Sequence, residues 1–349
     1  MSKAVVPSPT VAAVNAAPAG AAAIPKARFD WIPLALLVGV MVLAWPAVGS
    51  GSTWLTLTVA GLAMGLIIFV IASGLTLVFG LMDVLNFGHG VFIALGAFMA
   101  TTVMGGMAAF ADQGLGPALL TLLCAMAAAM LVAGAVGWAF ERVIVRPVYG
   151  LHLKQILITM GGMIVAEELI KVIWGPQQIA LPLPESLRGS FLLGDASIEK
   201  FRLLAGAVGL LVFAALVYTL ARTKIGLLIR AGVQDREMVE SLGYRIKRLF
   251  VGVFVAGSAL AGLGGVLWGL YQQSVTPQIG TQVNVLLFIV IIIGGLGSTL
   301  GCFVGALLVG LMANYTGFLA PKVALFSNIA LMVAVLLWRP QGLYPVTNR

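Results

Sequence analysis

The chain has 349 residues, of which 61% are hydrophobic and 9% are charged, and its formal net charge is +8 at pH 7. Because about a quarter of the residues in a soluble domain are charged, this composition excludes an ordinary soluble fold and predicts a polytopic membrane protein. The apolar runs are mostly roughly 16 to 26 residues long and do not alternate with polar residues, which favours spanning helices over a β-barrel.

The N-terminal residues 1–30 are rich in Ala, Val and Pro and carry no helical stripe of apolar residues. They are expected to form a disordered cytoplasmic tail, and a cleaved signal peptide is not expected because the first apolar run starts late, near Trp31. The two cysteines, Cys124 and Cys302, lie inside apolar runs and are expected to pack between helices without forming a disulfide.

Ten apolar segments follow the tail and predict an all-α polytopic membrane protein with about ten transmembrane helices in one transmembrane domain, residues 31–338. The eighth segment is too short to cross about 30 Å of hydrocarbon alone, and glycines break several others, so some segments are candidates for re-entrant structure. The segments are 31–48, 54–79, 91–109, 117–140, 155–174, 203–221, 249–270, 283–293, 300–319 and 323–338.

The basic residues predict the orientation of these segments. With the N-terminus inside and simple alternation, fifteen of the 20 Lys and Arg residues fall on the cytoplasmic side. Both termini are then cytoplasmic, including the C-terminal tail 339–349. Loop 175–202 is then periplasmic, and loop 222–248 is cytoplasmic. The basic residues lie between the apolar runs and not together on one face of the protein, which argues against nucleic acid as a partner.

The stretch LMDVLNFGHGVF (81–92) is polar for its apolar surroundings. It holds Asp83, Asn86, Gly88, His89 and Gly90. One interpretation is a plain cytoplasmic loop, in which polar residues cost nothing. The other is a broken helix inside the membrane, whose freed backbone groups need polar partners, with Asn86 and His89 capping them or lining a path.

Three charged residues, Glu167, Glu168 and Lys171, lie in the fifth apolar segment. Intramembrane charge usually marks function. However, both acids can reach Lys171 at helical spacing, so a local ion pair is the simpler interpretation. The alternative is a carboxylate that couples transport to protons or ions, or contacts a substrate.

No known set of catalytic or metal-binding residues is present in the sequence. HExxH, GxSxG and clustered Cys/His patterns are missing, and GGLGSTLG (294–301) is not followed by the lysine of a nucleotide-binding P-loop. We therefore expect no catalytic residue and no metal site. We also expect no cofactor in this chain.

Loop 222–248 is the only stretch dense in charge. Its apolar residues recur at helical spacing among charged ones, which predicts short amphipathic helices on the cytoplasmic face, closed by Gly243. Such helices can dock a soluble partner or anchor to lipid headgroups, and the pattern leaves both open. The apolar residues are Ile225, Leu228, Ile229, Met238, Val239 and Leu242.

Four stretches together carry a resemblance to a family. They are GLTLVFGLMDVLNFGHG (74–90), ERVIVRPVYG (141–150), IRAGVQDREMVESLGY (229–244) and LLWRPQGLYP (336–345). In this order they resemble motifs of the permease subunits of bacterial branched-chain amino acid ABC importers, a resemblance that covers the chain from about residue 33 to its end.

The resemblance implies roles for individual residues. Asn86, Gly88, His89 and Gly90 match the family's N-x-(A/G)-H-G motif, which makes them, with the preceding Asp83, candidate gate or translocation-path residues. Val239 and Tyr244 depart from the usual alanine and isoleucine of the family's ATPase-docking loop, and both substitutions remain apolar or amphipathic. The residues that occupy that loop are Gly226, Arg230, Ala231, Asp235, Glu237 and Gly243.

The family implies a non-enzymatic subunit of an importer in the bacterial inner membrane. Its implied partners are a sister permease, two ABC ATPase subunits that carry ATP and Mg, and a periplasmic solute-binding protein. Its implied substrates are branched-chain amino acids, with urea, short amides and aromatic or other organic acids as alternatives. The competing class is an ion-coupled secondary transporter that uses Glu167 or Glu168.

Overall fold

The computed structural model describes residues 30–234 and 236–345. The expected N-terminal tail (1–30, apart from Asp30), Asp235 of the predicted docking loop and the last four residues (346–349) lie outside the described residues. Within the described ranges, most of the chain is helical.

The helices of the described residues are α1 (Ile32–Val48), α2 (Gly51–Met82), α3 (Gly90–Gly106), α4 (Ala108–Ala111), α5 (Leu115–Phe140), α6 (His152–Trp174), α7 (Lys200–Arg222), α8 (Lys224–Gln234), α9 (Arg236–Ser241), α10 (Ile246–Gln272), α11 (Ile279–Gly294), α12 (Thr299–Leu319) and α13 (Ala324–Trp338). One π-helical turn, Glu141–Val145, and a 3₁₀ turn, Arg146–Val148, extend α5. Four short strands are β1 (Ile179–Ala180), β2 (Ser190–Leu193), β3 (Ala196–Glu199) and β4 (Ser274–Val275).

Six helical stretches in the described ranges are long and apolar enough to cross a membrane: α2, Phe87–Gly106, Leu115–Val148, α7, α10 and α12. The polytopic all-α membrane fold is therefore confirmed. The other predicted spans are also helical, but α1, α11 and Phe326–Trp338 are shorter than 18 residues, and α6 carries three charges near its end. The number of ten spans stays a prediction.

Helices α2 and α10 form the centre of the bundle. Helix α2 packs on α12, α10 and α7, and α10 packs on α5, α3 and α2. The two cross where Gly74 faces Gly257, and a Cβ at Gly257 would lie 2.7 Å from the carbonyl oxygen of Gly74. Small residues allow this close backbone approach, which replaces hydrophobic burial as a source of helix association in lipid.

The connections between helices gather at two ends of the bundle. At one end, here called the hairpin end, β1 pairs with β4, β2 pairs with β3, and the Ser197 N–H donates to Thr56 Oγ1 at 3.2 Å. At the other, the basic end, which carries residues 222–248, Gly80 packs on Gly297. Each of these contacts joins segments that simple alternation of ten helices assigns to the same side.

Residues 339–345 fold back onto the basic end. The N–H groups of Leu343 and Tyr344 donate to the carbonyl oxygens of Ile293 and Gly294 at 2.9 and 3.0 Å. Leu343 is completely buried. This part of the predicted C-terminal tail therefore packs against the end of α11.

Candidate functional site

The polar stretch between α2 and α3 is buried inside the bundle. Helix α2 ends at Met82, its C-cap residue Asp83 adopts left-handed backbone angles, and a short 3₁₀ turn at Phe87–His89 leads into α3 at Gly90. Asn86 and His89 are each only 1% exposed. Asp83 is half-exposed, with its Oδ2 4.0 Å from Nε2 of His152. The stretch is therefore a helix break within the protein, here called the break.

Helix α6 supplies partners for the backbone of the break. The Leu85 N–H donates to Gln155 Oε1 at 3.4 Å, and the Phe87 N–H donates to Thr159 Oγ1 at 3.2 Å. Gln155 and Thr159 are fully buried and lie four residues apart, hence on one face of α6. Sequence reasoning missed both, although two amide or hydroxyl side chains at this spacing in an apolar helix were a usable signal.

Asn86 caps the 3₁₀ turn, as one of the two interpretations expected. Its Oδ1 accepts from the Gly88 N–H at 3.0 Å. Gly88 itself leaves no room for a side chain, since a Cβ there would lie 2.6 Å from the Phe140 ring and 2.9 Å from the Thr159 carbonyl oxygen. The glycine is therefore required by close packing rather than by flexibility.

Helix α11 holds the break from the other side. Asn284 Nδ2 donates to the Phe87 carbonyl at 2.8 Å, and the rings of Phe87 and Phe288 stack with centroids 4.5 Å apart. Gly90 and Gly280 touch backbone to backbone where α3 meets α11. Sequence reasoning also missed Asn284, a lone amide in an apolar segment.

His89 reaches from the break to the central helix α2. Its Nε2 lies 3.2 Å from the Ile71 carbonyl oxygen. Because a carbonyl only accepts, Nε2 carries the ring proton in this arrangement. His89 also lies beside the crossing of the two central helices, as its Cε1 would be 3.2 Å from a Cβ at Gly74.

Three buried polar atoms around the break have no hydrogen-bond partner in the described part of the chain: Asn86 Nδ2, His89 Nδ1 and Asn284 Oδ1. Leaving such an atom unsatisfied costs about 1–3 kcal/mol, so each calls for an explanation. The set contains one donor and two acceptors, and it can exchange hydrogen bonds with a water molecule or a small polar solute.

The charged residues of α6 form a local ion group near the hairpin end. Lys171 Nζ lies 2.7 Å from Glu168 Oε1 and 3.3 Å from Glu167 Oε1. The other oxygen of Glu167 accepts from Thr281 Oγ1 of α11 at 3.1 Å. Both carboxylates therefore already have a cation, and Glu167 ties α6 to α11.

The loop at the basic end contains two short helices fixed by two glycines. A Cβ at Gly226 would lie 2.6 Å from the Thr219 carbonyl oxygen, so α8 starts tightly against the end of α7. Gly243 has φ +87° and follows α9, where the Gly243 and Tyr244 N–H groups donate to the Glu240 and Val239 carbonyls. This is a Schellman-type helix end, as the sequence predicted.

The apolar stripe of this loop divides between the interior and the surface. Ile229 packs with Leu77 of α2 and Val253 of α10, and Val239 packs with Ile246 and Phe250 of α10. The exposed apolar residues are Ile225, Met238 and Leu242.

The loop's polar residues remain accessible. Arg230 and Glu237 are exposed, Ala231 is half-buried against the cluster of Val239, and Asp235 is outside the described residues. The two helices thus combine an exposed mixed surface with a firm attachment to α2 and α10.

Comparison with known proteins matches the family described as "Branched-chain amino acid transport system / permease component" over residues 57–336. The permease protein BraD of the high-affinity branched-chain amino acid transport system of Pseudomonas aeruginosa is 32% identical over 298 residues, which are 82% of this chain and 94% of BraD.

The permease protein LivH of the corresponding Salmonella typhimurium system is 29% identical over 81% of this chain and 92% of LivH. The LivM permease protein of Escherichia coli is 28% identical over 88% of this chain and 74% of LivM. The family match covers far more than half of the chain, and it includes the break and both short helices of the basic end. The chain therefore belongs to the permease family of branched-chain amino acid transport systems.

Proposed function

We propose that this chain is the membrane permease subunit of an ATP-driven importer, which moves branched-chain amino acids or a related small polar solute across the bacterial inner membrane by alternating access. Its partners are a sister permease, two ABC ATPases that bind ATP and Mg, and a periplasmic solute-binding protein. Both termini then face the cytoplasm. No covalent chemistry takes place in this chain.

The observation that carries the proposal is the attachment of α8 and α9 to the central helices. Ile229 and Val239 are only 4% exposed and pack on α2 and α10, while Arg230, Glu237 and Met238 face outward. A partner that pushes on the outer surface therefore moves the helices that cross at Gly74 and Gly257. Charges beside apolar side chains fix the register of such a docking surface.

The break supports a role in the path. It joins α2 to α3, touches α6 and α11, and holds three unpartnered polar atoms in the interior. A rocking motion of α2 against α10 changes the surroundings of His89, which contacts Ile71 of α2. We assign the break to the gate, with Asn86 and His89 facing the solute in one of the two states.

The test is Glu237→Ala in the complete transporter. We expect weaker co-purification of the ATPases and slower uptake of radiolabelled leucine in proteoliposomes that contain ATP. Glu185→Ala is the matched control, because Glu185 is an exposed acid at the hairpin end. Normal ATPase assembly and uptake in Glu237→Ala would remove the docking role of this loop.

The same proteoliposomes separate this function from ion-coupled transport. An ATP-driven importer stops when ATP is removed and continues when an uncoupler collapses the proton gradient, whereas an ion-coupled transporter does the opposite. The geometry favours the first outcome, because the carboxylates of Glu167 and Glu168 both already pair with Lys171.

A further inference from the structure

A cavity of about 790 Å³ opens at the basic end, between the π-helical end of α5 and the start of α10. It lies outside the break. Five cations line it: Arg142, Arg146, Arg245, Lys247 and Arg248. Two acids, Glu141 and Glu240, also line it, so the cationic side chains outnumber the carboxylates.

The five cations lack a carboxylate partner in the part of the chain that the structure describes. No Asp or Glu oxygen lies within 4.0 Å of any of their nitrogens there. The carboxylate of Glu141 is instead bound by the Tyr149 hydroxyl at 2.6 Å. Positive charge that is gathered in a concave site and not neutralised by the protein attracts an anion.

One wall of the cavity is apolar and exposed. Trp138, which lines the cavity, is 51% exposed, and the lining also includes Val251 of α10, which is half-buried. The Arg142 guanidinium lies 5.8 Å from the centroid of the Trp138 ring. A Trp with an Arg beside it, at the end of a membrane-spanning helix, is typical of the boundary between acyl chains and headgroups.

We propose that this cavity binds the phosphate headgroup of an anionic phospholipid from the cytoplasmic leaflet, with the acyl chains lying along the exposed ring of Trp138. That the basic end faces the cytoplasm rests on the proposed function. Arginine forks suit phosphate oxygens, and basic pockets between helices on the cytoplasmic side bind such headgroups. A free phosphate ion would use the cations but not the apolar wall, so the combination favours a lipid.

The test compares lipid retention by variants of the complete transporter. The double variant R142Q/R146Q removes two cavity cations that lie outside loop 222–248. The matched control, R222Q/K224Q, removes two exposed cations at the same end that do not line the cavity. Each protein is reconstituted with phosphatidylglycerol in a phosphatidylcholine background, and bound lipid is measured by native mass spectrometry. Elution as a single peak in size exclusion establishes folding, and R142K/R146K tests whether charge alone restores binding.

We expect R142Q/R146Q to bind phosphatidylglycerol roughly 10- to 30-fold more weakly, with R222Q/K224Q close to the unaltered protein. R142K/R146K should recover part of the loss. Equal lipid binding by R142Q/R146Q and the control would overturn the proposal. Displacement of the lipid by millimolar inorganic phosphate would also overturn it and would identify a free-anion site. Loss of ATPase binding by R142Q/R146Q with unchanged lipid binding would overturn it as well and would identify a protein-docking site. Uptake by Glu237→Ala tests the proposed function separately.

Discussion

The contact between Gly90 and Gly280 gives a prediction that the structure makes quantitative. In Gly90→Ala, the new Cβ would lie 2.6 Å from the Gly280 carbonyl oxygen and 2.8 Å from Met163 Cε. Met163 can move aside, but the Gly280 backbone cannot. Restoring an ordinary contact of about 3.4 Å requires α3 and α11 to separate by about 0.8 Å, and overpacking of this kind typically costs about 1–3 kcal/mol.

The matched control lies on the same helix. Gly105→Ala places a Cβ with no other atom within 4 Å and gains helix propensity, so its stability should rise by up to about 1 kcal/mol. Thermal unfolding of both variants in the same detergent, followed by tryptophan fluorescence, should place Gly90→Ala several degrees below Gly105→Ala, and uptake should fall only in Gly90→Ala. Equal unfolding temperatures would refute the argument that this backbone contact holds α11 against the break.

Three further predictions concern the break and the docking loop. Thr159→Val removes the hydroxyl that accepts from the Phe87 N–H of the break and should lower the unfolding temperature. Thr121→Val removes a buried hydroxyl that has no partner in the described residues, and its unfolding temperature should stay unchanged or rise. A lower unfolding temperature for Thr121→Val than for Thr159→Val would contradict the hydrogen bond between Thr159 and Phe87. Gly243→Ala places a side chain at φ +87°, which should lower the free energy of unfolding by about 1–2 kcal/mol and weaken ATPase co-purification. Undiminished co-purification would contradict this prediction. His89→Gln keeps a hydrogen-bond donor but cannot titrate, so uptake should be largely retained, and its complete loss with normal assembly would indicate proton chemistry at His89.

Hydropathy was sufficient to locate the helices because lipid demands long apolar segments with internally paired backbones. The predicted segment 117–140 corresponds to α5 at Leu115–Phe140, and 155–174 to α6 at His152–Trp174. The ends differ by a few residues, since polar and small residues can continue a helix beyond its apolar core. The eighth segment, 283–293, gains four residues at its start because Ile279–Asn284 is helical despite its polar side chains.

The surroundings of the break could be predicted only in part. Local rules identified the interruption and the capping by Asn86, because a cap involves neighbouring residues. They did not identify Gln155, Thr159 or Asn284, which approach from helices about 70 and 200 positions away in sequence. Which of two helix faces meets the break depends on packing, and one sequence carries no direct record of that pairing.

The same limit applies to the docking loop. Helical spacing indicated an apolar stripe but could not divide it into the part that packs on α2 and α10 and the part that faces outward. The pairing of β1 with β4, two residues each and almost a hundred positions apart, has no signal in a pattern of such length.

The return of residues 339–345 onto α11 has a consequence for biosynthesis. The last carbonyls of a helix have no partner within it, and two of those at the end of α11 are bound by residues synthesised about 50 positions later. During synthesis, α12 and α13 are therefore made while the end of α11 still lacks these two partners. Leu343 and Tyr344 must be synthesised before this corner of the protein can close, so a premature stop immediately after Trp338 would leave both carbonyls without these partners.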